Sequence, residues 1–231
     1  MTITFITGAN KSLGYETARR LIDLGHTVIL GARDRERGQA AADTLKARFV
    51  PVDVTDDASV AAAAADVAAH EGHLDVLINN AGVNEPQPSV ADITAADATH
   101  VFGTNVIGIV RVTHAFLPLL TKSVAPVVVN VSSGMGSFGI TTDPGRLEST
   151  FPSPLYTASK AAVTMLTTQY AKALPELRIN AADPGYTATD FNGHSGPQTV
   201  QEGTDVIVAL ATIGPDGPTG TFQDRAGTVP W

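Results

Sequence analysis

Ile3-Thr-Phe-Ile-Thr-Gly-Ala-Asn-Lys-Ser-Leu-Gly14 contains the transition that decides the fold. Ile3 to Ile6 is short, apolar and β-branched, and Gly8 ends it; from Ser12 to Leu24 the residues Leu13, Ala18, Leu21 and Ile22 recur at helical spacing. A buried strand thus passes through a glycine turn into a helix. Small residues in such a turn let the backbone approach a pyrophosphate, and the helix N-terminus supplies amide donors. A triphosphate P-loop is excluded, because Asn10 and Phe5 stand where that motif requires glycine. The turn therefore suits a dinucleotide better.

The alternation continues beyond this unit. Thr27 to Leu30 is a second apolar run, Asp34 offers an N-cap to an alanine-rich helix ending near Ala47, and Phe49 to Val54 gives a third strand. A helix from Asp56 to His70 and a strand from Leu74 to Asn79 follow. Further on come a long helix from about Asp97 to Leu120, a strand from Pro126 to Val131, a helix from Tyr156 to Leu174 and a strand from Leu177 to Ala182. Strands that are apolar throughout expect helices on both faces. The pattern predicts a single α/β domain over residues 1–231, a doubly wound parallel sheet in a three-layer α/β/α Rossmann arrangement. Ligands in such folds sit beyond the carboxyl ends of the strands.

Composition narrows the function. With 231 residues, 43% of them hydrophobic and 16% charged, the chain can bury a substantial core. It has no cysteine, which excludes disulfides, thiolate zinc sites and a cysteine nucleophile. A net charge of −8 argues against general binding to nucleic acid. The first residues carry no basic leader, and no uncharged apolar stretch looks long enough to cross a bilayer, so no membrane partner and a cytoplasmic location are expected. His70 and His73 lack the i, i+4 zinc spacing, and neither Ser137 nor Ser195 has the flanking glycines of a hydrolase elbow.

Three local features carry possible chemistry. Arg33 ends the second strand where a dinucleotide fold selects its cofactor; arginine suits a 2′-phosphate, whereas an acid would bind the ribose hydroxyls. Asp34, one position later, reads as a helix cap. Tyr156 and Lys160 lie one helical turn apart on one face, so the ammonium is expected to stabilise the phenolate and lower the phenol from its ordinary value. Ser132 and Ser133 leave the carboxyl end of an apolar strand, where a hydroxyl can polarise a carbonyl.

In chain order, Thr7-Gly-x-x-x-Ser-Leu-Gly14, Asp53-Val54, Asn79-Asn-Ala-Gly82, Asn105, Ser133, Tyr156-x-x-x-Lys160 and Pro184-Gly185 resemble the short-chain dehydrogenase/reductase family over nearly the whole chain. Gly8-Ala-Asn-Lys11 with Gly31-Ala-Arg33-Asp is similar to its NADPH-using carbonyl reductase branch. The resemblance implies Tyr156 as general acid, Ser133 as the donor that orients the carbonyl, Lys160 on the nicotinamide ribose, and Asn105 in a water-linked relay. It also implies NADP (NADPH) held by the first turn (Gly8, Asn10, Lys11, Ser12, Leu13, Gly14) and by Arg33. Asp53 and Val54 would meet the adenine, and Asn80, Ala81 and Gly82 the adenosine side of the groove. Pro184, Gly185, Thr187 and Thr189 would lie by the nicotinamide, with Thr189 on its carboxamide.

The activity implied is reduction of a small aldehyde, ketone or quinone. An NAD-linked alcohol dehydrogenase of the same family, or a dinucleotide-binding sensor without turnover, is the alternative. Ser12 departs from the glycine common at its position. The stretch from Ser133 to Tyr156 is longer than usual, so an extra loop is expected over Ile140 to Pro154, biasing the protein toward a monomer or small homo-oligomer. Phe138, Phe151, Tyr186, Phe191 and His194 are candidate pocket residues, and Phe191 to Gln198 is a short replacement for a helical lid. Lys11 and Arg33 are expected to flank one 2′-phosphate.

Overall fold

The computed structural model describes residues 1–85 and 89–231. Its strands are β1 (Ile3–Thr7), β2 (Thr27–Ala32), β3 (Arg48–Pro51), β4 (Val76–Asn79), β5 (Val127–Val131), β6 (Arg178–Ala182), β7 (Phe222–Asp224) and β8 (Gly227–Thr228). The helices are α1 (Ser12–Asp23), α2 (Arg35–Leu45), α3 (Asp57–His70), α4 (Ala95–Phe102), α5 (Gly108–Leu120), α6 (Phe138–Thr141), α7 (Pro154–Ala173), α8 (Val200–Gly203) and α9 (Asp205–Ala211).

One sheet of eight strands runs in the order β3-β2-β1-β4-β5-β6-β7-β8. Every pairing is parallel except the last, where β8 turns back antiparallel on β7. The expected doubly wound Rossmann sheet is therefore present, with one antiparallel strand at its edge. Neighbouring residues on each strand face opposite layers, as the pleat requires. Phe5, Ile29, Leu77 and Val128 pack with Val60, Val67, Phe116 and Leu120 of α3 and α5. Ile6, Leu30, Ile78 and Val129 pack with Ala18, Leu21, Ala42 and Ile207 of α1, α2 and α9. Both faces are covered, which is why these strands are apolar throughout.

Two sequence expectations need correction. The third strand stops at Pro51 and does not reach Val54. The Val52 amide still donates to Ala32, but the Asp53 carboxylate then accepts from the Thr55 amide (2.9 Å) and hydroxyl (2.7 Å), so the chain turns there. Asp56 belongs to the cap of α3, accepting from the Ala58 and Ser59 amides, and not to the helix itself.

The long helix expected from Asp97 to Leu120 begins at Ala95 and is interrupted by a wide π turn over Gly103–Ile107, with Asn105 inside it. By length and composition, Ala95–Leu120 is apolar enough to cross a bilayer; its α5 half lays Val112, Phe116 and Leu120 on the sheet. Asp34 caps α2 by accepting from the Arg37 amide, as expected. The strand order reverses between β1 and β4, which opens the ligand-binding crevice beyond their carboxyl ends.

Candidate active site

The crevice is built around the turn after β1. Gly8 has φ +66°, and a Cβ there would stand 3.0 Å from the Ala81 Cα. A Cβ on Gly14 would lie 2.5 Å from the Gly8 carbonyl oxygen, so α1 can begin this close to the strand end only with glycine. Ser12, the departure from glycine, is held at φ +50°, in the left-handed region. The turn is fastened to the loop after β4. The Asn80 side-chain amide donates to the carbonyls of Thr7 (2.9 Å) and Gly8 (3.1 Å), while the amides of Asn80 and Ala81 both donate to the Thr7 hydroxyl at 3.0 Å. Asn80 thus shapes the wall of the groove.

This turn fits a dinucleotide pyrophosphate. The α1 N-terminus has no side-chain cap and no acidic residue in its first turn, which leaves its amides and its positive end to an anion. Arg33, exposed at the end of β2, makes no ion pair or hydrogen bond among the described residues. Burial pushes the neighbouring Asp53 carboxyl up, but bonds from Thr55 and the charges of Arg33 and Arg111 outweigh it and hold that carboxyl below its usual range. Val54 is buried, and its carbonyl accepts from the Arg111 guanidinium at 2.6 Å.

Lys11, expected with Arg33 beside one phosphate, is paired with a carboxylate in this structure. Its ammonium pairs with Asp190 at 2.9 Å, and the other oxygen of Asp190 meets His194 at 2.9 Å. The side chain therefore reaches the turn after β6. Thr189 acts within its own turn as well. Its hydroxyl accepts from the Phe191 amide, and its own amide donates to Asn192, closing a capping box on the turn Asp190–Asn192. Thr187 is buried and donates to the Pro184 carbonyl at 2.9 Å, and Gly185 takes φ +68°.

Tyr156 sits in the first turn of α7 and Lys160 one turn later. Lys160 is buried, with its ammonium donating to the Val131 carbonyl at 2.8 Å and lying 5.6 Å from the centre of the Tyr156 ring. Burial lowers the Lys160 ammonium to about 8, against an opposite pull from the Asp183 carboxylate. Burial likewise raises the Tyr156 phenol well above its ordinary value, with Ser133 pulling it down and Asp183 adding to the rise, so the lowering expected from the Lys160 cation is outweighed by burial. Ser133 also accepts from the Met135 amide at 3.2 Å, which fixes the turn after β5. A protonated phenol and a neutral hydroxyl therefore stand together beside a buried cation.

Asn105 joins this group from the π turn. Its side chain accepts from the Val83 amide (2.8 Å) and donates to the Val83 carbonyl (3.0 Å) and the Ser159 hydroxyl (3.0 Å). Ser159 in turn donates to the Tyr156 carbonyl at 2.7 Å. A Cβ on Gly82 would lie 3.5 Å from the Asn105 side-chain oxygen and 3.8 Å from the Lys160 ammonium, so glycine leaves the groove floor open. The structure thus brings Asn105, Ser133, Tyr156 and Lys160 into one cluster.

At the mouth, the Phe191 ring lies 5.5 Å from that of Tyr156, and Phe151 lies 6.5 Å from Tyr186. Phe151, Tyr186, Phe191 and Phe138 all remain exposed. The stretch from Ile140 to Pro154 carries the end of α6 and a 3-10 turn over Leu147–Thr150. No group of His, Asp and Glu among the described residues could hold a metal. The sequence reading missed two acids. Asp183, buried behind Gly134 and accepting from the Gly185 amide at 2.9 Å, is one; Glu85 is the other.

A crevice at the switch point of a doubly wound sheet, with a glycine turn opening toward a phenol-lysine pair, is the working geometry of a nicotinamide-dependent oxidoreductase. Residues 2–199 match the family model for short chain dehydrogenase, and the chain belongs to that family. It is 35% identical to a short-chain dehydrogenase of Penicillium roqueforti, covering 92% of this chain and 89% of that one. It is 34% identical to (-)-isopiperitenone reductase of Mentha piperita, covering 95% of each. The NADPH-bound carbonyl reductase from chicken fatty liver superposes with a TM-score of 0.88 at 28% identity over the full length of both chains. The family resemblance read from the motifs is borne out.

Proposed function

We propose that the protein reduces the carbonyl of a small aldehyde, ketone or quinone, with NADPH as hydride donor and Tyr156 as general acid. The observation that carries this reading is the Tyr156 ring on the same helix as the buried Lys160, one turn away, with the ammonium 5.6 Å from the ring centre. A phenol that keeps its proton at neutral pH is suited to giving it to a developing alkoxide.

NADPH supplies the hydride when bound. The α1 amides would hold its pyrophosphate, Arg33 its 2′-phosphate, and Lys160 its nicotinamide ribose. Ser133 donates to the substrate oxygen and Tyr156 protonates it, so the negative charge that develops there meets two donors already in place. The aromatic mouth formed by Phe151, Tyr186 and Phe191 suits an apolar carbonyl compound. The similarity to an NADPH-bound carbonyl reductase supports both the reaction and the cofactor, and that to isopiperitenone reductase supports a reductase.

Oxidation of NADPH followed by absorbance against a panel of aldehydes, ketones and quinones tests the proposal. Turnover with at least one carbonyl and NADPH is the expected result. No turnover across the panel, or turnover only in the alcohol-oxidising direction with NAD, overturns it.

A further inference from the structure

The catalytic helix α7 has an incomplete N-terminus of its own. Its N-cap residue, Ser153, makes no side-chain hydrogen bond, Pro154 has no N–H, and the first turn contains no acidic residue. The Thr157 amide already reaches the Ser153 carbonyl at 2.9 Å. Two of the orphan donors expected at a helix start therefore remain, the amides of Leu155 and Tyr156. Both donate to one carboxylate oxygen of Glu85, at 2.7 and 3.1 Å.

Glu85 comes from the loop after β4, 70 positions from Leu155 in sequence. That loop is tied down at Asn80 and at Val83. Asn80 bonds the glycine turn, and Asn105 grips both the amide and the carbonyl of Val83. One strap thus runs from the cofactor turn, past the floor of the groove at Gly82, to the amide of the tyrosine that carries the phenol. The carboxylate also places a negative charge at the positive end of α7, where the helix has no acid of its own.

We propose that Glu85 is a positioning residue for Tyr156, capping α7 from a separate loop so that the phenol stays aligned with Ser133. The inference rests on the catalytic role given to Tyr156 above. Helix caps are ordinarily local; this one couples the wall of the cofactor groove to the acid. Loss of the carboxylate frees the first turn of α7 to fray, and the phenol with it, while the cofactor turn keeps its own bonds to Asn80.

The test compares the full-length protein with Glu85→Ala and Glu85→Gln, using amide hydrogen exchange, NADPH titration and steady-state rates on the carbonyl compound turned over fastest in the panel. In Glu85→Ala we expect exchange at Leu155 and Tyr156 to rise at least about tenfold, since local opening sets that rate. We expect kcat to fall roughly 10- to 100-fold, as misalignment of a catalytic group does, with the NADPH Kd changed less than about twofold. Glu85→Gln keeps a carbonyl acceptor and should recover most of the lost kcat, and it serves alone if the alanine variant does not fold: exchange at the two amides should then rise only a few-fold. Unchanged exchange at Leu155 and Tyr156 in the alanine variant overturns the cap. Raised exchange with unchanged kcat overturns the positioning role. If no carbonyl is reduced by the unmodified protein, the proposed function falls, and exchange at the two amides decides the cap by itself.

Discussion

The Lys11 ammonium and the Asp190 carboxylate, 2.9 Å apart, join the turn after β1 to the turn after β6. Both side chains are about half exposed, and such pairs contribute only about 0.2 to 1 kcal/mol. Asp190 therefore holds Lys11 weakly and competes for it with any phosphate in the crevice. Asp190→Asn should change stability by less than about 1 kcal/mol while tightening NADPH several-fold. Fluorescence titration checks this; weaker NADPH binding in the variant would show that the pair supports the cofactor.

Arg33 has no ion-pair partner among the described residues, and the proposed function gives it the 2′-phosphate of NADPH. A charge-assisted contact contributes roughly 1.5 to 3 kcal/mol, so NADPH should bind at least about tenfold more tightly than NADH. Arg33→Asp should shrink or reverse that ratio. Equal affinities in the unmodified protein, measured by titrating both cofactors, would refute it.

Ser12 is held at φ +50°, a conformation that costs a residue with a side chain about 1 to 2 kcal/mol relative to glycine. Against this, glycine loses about 0.5 to 1 kcal/mol in chain entropy. Ser12→Gly should therefore stabilise the protein by roughly 0.5 to 1 kcal/mol in urea unfolding. Gly14→Ala should do the opposite, since its Cβ would meet the Gly8 carbonyl oxygen at 2.5 Å. Destabilisation by Ser12→Gly would mean that its hydroxyl is needed where it stands.

The titration of Lys160 gives a pH signature. Burial lowers this ammonium to about 8, so the cation is present below that pH and lost as pH rises through it. Tyr156, shifted upward, keeps its proton throughout. Because kcat/KM reports the free enzyme, its value for NADPH should fall above about pH 8, with the basic limb belonging to the lysine. A profile flat to about pH 10 would contradict this.

What the sequence made legible follows from local physics. Strand and helix order rests on apolar runs and on caps such as Asp34, whose bond to the Arg37 amide lies within one turn. Tyr156 and Lys160 are a turn apart on one helix, so their proximity needed no tertiary knowledge. The misses depend on distant chain segments. Lys11 points where it does because of Asp190, in a turn after β6, and Glu85 caps a helix far along the chain. The π turn around Asn105 has no proline to announce it, and the glycines at its two ends, Gly103 and Gly108, are equally compatible with a continuous helix; it coincides with the bonds from the Asn105 side chain to Val83 and Ser159. The early end of β3 was readable in principle, since the Asp53-Val-Thr55 turn is written in the sequence.

Carbonyl reduction as proposed depends on Tyr156 supplying the final proton, and Tyr156→Phe probes that step with the least disturbance, because the ring is kept and only the hydroxyl is lost. The measurement is kcat for NADPH oxidation on a carbonyl that the unmodified protein reduces, together with the NADPH Kd of both proteins. The expected result is a loss of about 10²- to 10⁴-fold in kcat at nearly unchanged Kd. A variant that turns over at close to the original rate would contradict it.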